Sequence, residues 1–356
     1  MNRLDRYIAG KLLAGWVLVW MVMSSIFGLL AFVDEMERIG GKYQVPEVMR
    51  YVLYTLPQRS LELAPVIFLL GSILALATLN KHSEIIAIRA AGVSLRRFVR
   101  SVAIPTAGLV ILLYATSEYA AAPLYQQAEL QKTLIRSGQP NLLTGKGLWS
   151  NNNQRFFNVR TLKNIQIPRD IYLYEFTPDG KLVNFIHADH AQLTDGRRWD
   201  LIGVTQKTLH GGVLKTDQRD SVQMGPFWSR QELPVLPLST AGMTPSNLYE
   251  YASYLKSTDQ LAQRIEQVFW QRVAMPLTTG AMVFLAIPIG ASLAAIRSNT
   301  FGRNLAIGAG AGILFYLASQ LIQSGGAMVA MPASVTAFLP ALLVIAVATG
   351  MMYRMR

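Results

Sequence analysis

The chain is 356 residues long, 51% hydrophobic and only 15% charged, where an ordinary soluble domain carries about a quarter charged residues. Its net charge is +12, but the basic residues sit in a few short stretches between long uncharged ones, a segregation that excludes a simple nucleic-acid binder and makes a bilayer part of the solvent. There is no cysteine, so disulfide-stapled modules, thiol redox chemistry and cysteine metal sites are excluded.

Six runs free of Lys, Arg, Asp and Glu are long enough to cross a membrane: Leu12–Val33, Leu63–Leu79, Ser101–Ser117, Val273–Ile296, Asn304–Ser324 and Ala333–Tyr353. At about 1.5 Å per residue the first reaches roughly 33 Å, enough for a hydrocarbon core near 30 Å. It follows Arg3, Arg6 and Lys11 and precedes Asp34-Glu35; its length and the lack of a small-residue cleavage site predict a retained span, not a signal peptide. The next segment, Asp34–Glu62, carries the turn Gly40-Gly41 and an amphipathic helix expected from Pro46 through Leu56, stopped by Pro57. The 80–100 loop reads as helix, break, helix: Ser83 is expected to cap the first, Gly92 to end it and Ser94 to cap the second.

From about Leu142 to Leu238 the period becomes that of strands. Arg155–Leu162, Asp170–Thr177, Lys181–Leu193, Trp199–Thr208 and Val213–Met224 are separated by Gly, Asn, Asp and Pro turns, which predicts an antiparallel sandwich or jelly roll. Ile171 through Phe176 is apolar or aromatic on both faces; one face packs the sheet, and the other faces a second sheet or lines a groove for an apolar ligand. Pro234, Pro237 and Pro245 punctuate the return, and 246–267 reads as helix re-entering the membrane. The division is thus 1–122 with three spans, 123–267 with the inserted β domain, and 268–356 with three more: an α-helical membrane protein carrying an all-β, jellyroll-like insertion.

The N-terminus, the 80–100 and 297–303 loops and the C-terminus hold 12 of the 33 Lys and Arg but only two of the 21 acids, Asp5 and Glu84. Basic short loops stay in the cytoplasm. Both termini are therefore expected there, and 118–272 outside.

Little looks catalytic. His187 and His190 lie three apart, but in a strand that spacing faces opposite sides, as for surface residues of a hairpin. No Gly-rich sequence ends in Lys-Ser or Lys-Thr, so no ATP site is expected in this chain and no cofactor of its own. Uncharged spans argue against ion-coupled transport, which keeps ionisable groups within the bilayer. Gly308, Gly310 and Gly312 strip one helical surface of side chains, making either a static packing interface or a seam that opens and recloses. Glu84 is either an acid favoured by a helix N-terminus or a contact for a partner.

Leu4-Asp5-Arg6-Tyr7-Ile8, the run Ser83-Glu84-Ile85-Ile86-Ala87-Ile88-Arg89-Ala90-Ala91-Gly92-Val93-Ser94, Gly147-Leu148-Trp149 and Ile171-Tyr172-Leu173-Tyr174 together resemble the LptF/LptG permease family of the lipopolysaccharide exporter, more its LptG than its LptF branch. The resemblance covers essentially the whole chain. It implies a non-catalytic permease that extracts lipopolysaccharide from the inner membrane toward a periplasmic bridge. Its partners would be an LptB-like cytoplasmic ATPase dimer holding the ATP and Mg, an LptF-like permease, an LptC-like single-span jellyroll protein and an LptA-like bridge. Ser83, Glu84, Ile85, Ile88, Arg89 and Gly92 on a coupling helix at 81–93 would meet the ATPase. Phe27, Leu30 and Ala31 with Gly308, Gly310 and Gly312 would form the lateral gate. Arg38, Lys42, Lys132 and Arg136 would meet lipid phosphates, although Ala31 and Glu37 stand where the branch commonly has basic residues. The competing readings are a self-contained secondary transporter and a membrane-anchored docking scaffold.

Overall fold

The computed structural model describes residues 3–137, 148–152, 155–163, 167–177, 180–194, 198–210, 213–224, 240–257, 262–292, 300–328 and 331–354. Gly147, Pro234, Pro237 and most of the expected strand-connecting turns lie outside them. Among the described residues, ten α-helices and six strands follow one another: α1 (Arg3–Met36), α2 (Val45–Glu62), α3 (Ala64–Lys81), α4 (Glu84–Ala90), α5 (Leu95–Thr116), α6 (Ala122–Ser137), β1 (Leu148–Asn152), β2 (Arg155–Lys163), β3 (Ile167–Phe176), β4 (Leu182–Thr194), β5 (Arg198–His210), β6 (Val213–Met224), α7 (Pro245–Ser257), α8 (Gln263–Ser292), α9 (Thr300–Met328) and α10 (Ala333–Arg354). Among the described residues, six helical segments are long and apolar enough to cross a bilayer: Arg3–Met36, Ala64–Lys81, Leu95–Thr133, Gln263–Gly290, Ala306–Gly326 and Ala333–Arg354. They match the six apolar runs, and the protein is a multi-pass membrane protein.

Two helices run further than hydropathy alone indicates. α2 starts at a capping box, with the Glu47 carboxylate accepting the Gln44 N–H at 3.2 Å, and it passes through Pro57 to Glu62 instead of stopping there. Leu63 then closes α2 and opens α3, whose first turn holds Pro65, a position where the missing N–H costs nothing. α5 passes through a π turn at Ser117–Ala121 into α6, so a charged helix continues past the apolar run. α7 and α8 divide the return that the sequence reads as one helix.

α3 and α8 are the interior of the bundle, while α1 and α9 keep most of their surface open. α3 packs against α1, α8 and α9. At the α1–α3 crossing a Cβ on Gly15 would collide with the Gly71 carbonyl, so the two backbones touch. Beside it the Trp16 indole N–H donates to Ser72 Oγ at 2.8 Å, both side chains buried.

The strands form one antiparallel sheet in consecutive order β1 to β6. Registers Phe157↔Leu173, Leu173↔Ile186, Ile171↔Ala188 and Ala188↔Val204 stack the buried residues of four strands on one face. The opposite face carries Phe156, Tyr174, Phe185 and Tyr172, the last two rings 6.1 Å apart. The inserted all-β unit is as expected. Its described strands run as a meander, without a Greek-key crossover, and β1 precedes the first strand legible in the sequence.

Candidate functional site

The exposed segment between α3 and α5 has the most distinctive geometry. α4 is a seven-residue amphipathic helix: Ile85 is buried, Ile88 packs on the main core, and Ile86, Ala87, Arg89 and Ala90 are exposed. Gly92 (φ 82°) ends it, its N–H donating to the Arg89 carbonyl. Ser94 caps α5 through the Arg97 N–H at 3.3 Å. Ser83 does not act as expected. It precedes α4 in the left-handed region (φ 57°) and its side chain caps nothing, because that backbone turns the hydroxyl away from the helix N–H groups.

Two contacts tie this segment to the start of α1. The Tyr7 hydroxyl donates to Glu84 at 2.7 Å. Asp5, 3% exposed, accepts from Arg97 at 3.0 Å on both oxygens and from the Ser101 hydroxyl at 2.6 Å. Of the expected coupling residues, Ile85 and Ile88 anchor the helix to the core and Arg89 is exposed; Ile86, exposed beside it, is not among those the sequence reading singles out. Asp5, Tyr7 and Arg97 were missed as contacts, because their partners lie 77 to 96 residues away in the chain.

The glycine seam divides. A Cβ on Gly308 would lie 2.5 Å from Ile73, and one on Gly312 3.0 Å from Val66, whereas Gly310 has open space. Two of the glycines therefore seat α9 on α3. Phe27 and Leu30 are exposed on α1, but Ala31 is buried in a cluster with Tyr43, Val48, Tyr51, Val52 and Ala128, away from the glycines.

The four lipid-phosphate candidates also divide. Lys132 is largely enclosed against the buried Glu35, with Nζ 2.6 Å from its carboxylate and 4.2 Å from the Tyr51 ring centre. Arg38 leans on Asp34 and Glu35 at 3.6 and 3.4 Å. Lys42 and Arg136 are exposed, as is Arg50, which lines a small cleft beside Lys132 and Glu47. Glu35, 2% exposed, also accepts from the Tyr43 hydroxyl at 3.2 Å, and Glu129 accepts from Tyr51 at 2.6 Å. Burial first, and then these carboxylates, push both phenols well above the usual tyrosine range, so both are neutral donors.

A cleft of about 420 Å3 opens between α2, α8, α9 and α10. Arg272 donates there to the Gln58 side chain and to the Ala241 carbonyl, each at 2.8 Å. His187 lies 2.9 Å from Asp170, and His190 is in register with Arg169 and Ile202. Among the described residues no three His, Cys, Asp or Glu converge as metal ligands would.

Residues 6–354 match the family described as lipopolysaccharide export system permease LptF/LptG. Relatives include the lipopolysaccharide export system permease protein LptG of Haemophilus influenzae, 26% identical over 100% of this chain and 99% of that protein. LptG of Escherichia coli K12 is also 26% identical, over 95% of this chain and 94% of its own length. With six membrane-crossing helices, an inserted antiparallel sheet and a match running almost from end to end, this chain belongs to the LptF/LptG family of lipopolysaccharide export permeases.

Proposed function

We propose that this chain is the LptG-type permease subunit of an ATP-driven lipopolysaccharide exporter. Its termini and α4 would face the cytoplasm and its sheet the periplasm. The observation that carries this reading is α4: a short helix held from below by Ile85 and Ile88, presenting an exposed Ile86 beside Arg89. An exposed isoleucine next to a cation, flanked by small exposed alanines, is what a groove on a soluble partner recognises. The partner is a cytoplasmic ATPase, which binds the nucleotide and Mg; this chain supplies no phosphate loop.

On the other side of the membrane, Lys42, Arg50 and Arg136 are the exposed cations suited to lipid phosphates. Lys132 and Arg38 are engaged by Glu35 and serve the fold first. A second permease of the LptF type completes the membrane core, and jellyroll proteins of the LptC and LptA types receive the lipid.

The test is copurification with the ATPase, together with ATP-driven lipopolysaccharide release from proteoliposomes. Ile86→Asp and Glu84→Lys are expected to reduce ATPase recruitment by about ten-fold, the scale of one lost central interface contact. Unchanged recruitment in both variants, or gradient-driven flux by this chain alone without ATP, would overturn the proposal.

A further inference from the structure

α1 differs from the other long helices in how it is fixed. It runs 34 residues without a proline, a trait shared with α9, whereas α5, α8 and α10 each contain at least one; what sets α1 apart is the charge at its two ends. An acid sits in its first turn and another in its last, and both are buried: Asp5 at 3% and Glu35 at 2% exposure. Each binds a cation on a different element, Asp5 the Arg97 of α5 and Glu35 the Lys132 of α6. Tyr7 adds a direct bond to Glu84 on α4. An acid in the last turn of a helix opposes the helix dipole, and burying it adds desolvation, so Glu35 stands against local preference. A side chain that breaks a local rule marks a place where something beyond folding is served.

Between its ends the closest backbone approach of α1 is to α3, where Gly15 touches Gly71 and Trp16 bonds Ser72; its distal half rests on α2 through the Ser24–Ser60 hydroxyl pair and the Ala31 cluster, so α2 moves with the long arm. At about 1.5 Å per residue the arm from Gly15 to Asp5 is about 15 Å, and the arm from Gly15 to Glu35 about 30 Å.

We propose that α1 is a lever, hitched to α4 and α5 by Tyr7 and Asp5, pivoting on α3 at Gly15–Gly71, and hitched at its far end by Glu35 to Lys132 on α6. A displacement of α4 emerges at α6 about twice as large and in the opposite direction. α6 immediately precedes the sheet in the chain, so the stroke is delivered where the β unit is attached. Asp5, Tyr7, Glu35 and Lys132 act here as positioning residues, through the elements they join. The lever rests on the functional reading above, that an ATPase moves α4.

The chain has no cysteine, so two spin-label pairs can be placed in it without background of its own, with cysteine-free versions of the partner subunits. One is Arg6→Cys with Tyr353→Cys at the α4 end; the other is Val33→Cys with Val335→Cys at the α6 end, all at exposed positions. Both are measured by pulsed dipolar spectroscopy on the complex with its ATPase and second permease in nanodiscs, without nucleotide and with ATP and vanadate. In the unmodified complex the second distance changes about twice as much as the first. In Asp5→Asn, and in Tyr7→Phe, which removes one hydroxyl from a part-exposed ring, the second change falls by at least about half. ATP hydrolysis stays within about two-fold, and for Asp5→Asn lipopolysaccharide released per ATP falls about ten-fold. Glu35→Gln combined with Lys132→Gln keeps the second change but lowers release per ATP, because the lever turns unhitched.

Full distance changes and full release in both Asp5→Asn and Tyr7→Phe overturn the lever while leaving the functional reading intact. An unmodified complex that shows no ATP-dependent change and no release overturns the functional reading, and the lever with it.

Discussion

At the residue scale, the informative groups are the polar ones inside. Glu35 holds Lys132 and Tyr43 together, and removing it strands a largely enclosed ammonium. Glu35→Ala is expected to cost about 3 kcal/mol, and adding Lys132→Met to recover most of it, because an apolar replacement for a buried pair is often neutral. Thermal unfolding in detergent reads both. Tyr43 and Tyr51 have a sign that can be worked out. The unfolded chain releases these protons near pH 10 and the folded chain only at higher pH, so stability falls as pH rises above about 10. Tyr51→Phe should flatten that fall when melting temperature is followed from about pH 9 to 11. None of these pairs was legible in the sequence. Lys132 reads as a surface cation available for lipid because Glu35, which neutralises it, lies in another helix, and hydropathy treats Asp34-Glu35 as a polar flank. Buried charge is a property of two distant segments and leaves no trace in either alone.

At the scale of elements, local rules explain most boundaries and their exceptions explain the rest. Ser94 caps as its type and position indicate, and Ser94→Ala should cost about 1 kcal/mol. Ser83 occupies the same position before α4 but in left-handed backbone, which the sequence cannot reveal. Ser83→Gly should therefore stabilise the segment by a few tenths of a kcal/mol, about the left-handed strain it relieves, where a capping residue would have lost stability. The α9 glycines make a sharper contrast. Gly308→Leu must displace Ile73 and should lower stability of the isolated chain by about 1–3 kcal/mol, while Gly310→Leu, facing open space, should leave it unchanged. A glycine pattern tells that one surface is bare; only the neighbours tell which of the glycines uses it. The passage of α2 through Pro57 and of α5 into α6 was equally hidden, since tertiary packing of α2 on α1 and α6 outweighs one missing backbone bond.

For the molecule as a whole, the six crossings, the strand segments and the inserted position of the sheet were readable because each rests on a periodicity or a run length. The central place of α3 was not: its 18 residues look like the weakest span, yet they are among the most enclosed. The orientation rests on charge asymmetry and is open to a direct check. In the cysteine-free chain, an impermeant maleimide applied to spheroplasts should label Lys207→Cys but not Ala90→Cys, both exposed positions, and reach the second only after permeabilisation. Equal labelling of both from outside would contradict the assignment.

The shortness of α3 has a bearing on lipid environment. At about 27 Å it falls short of a typical hydrocarbon slab near 30 Å, but with α1, α8 and α9 against it few acyl chains touch it and the bilayer is not asked to thin. Bilayer thickness is instead felt by α1 and α9, whose flanks in this chain lie open. Vesicles of shorter or longer phospholipids should change the tilt of these two helices and leave α3 upright.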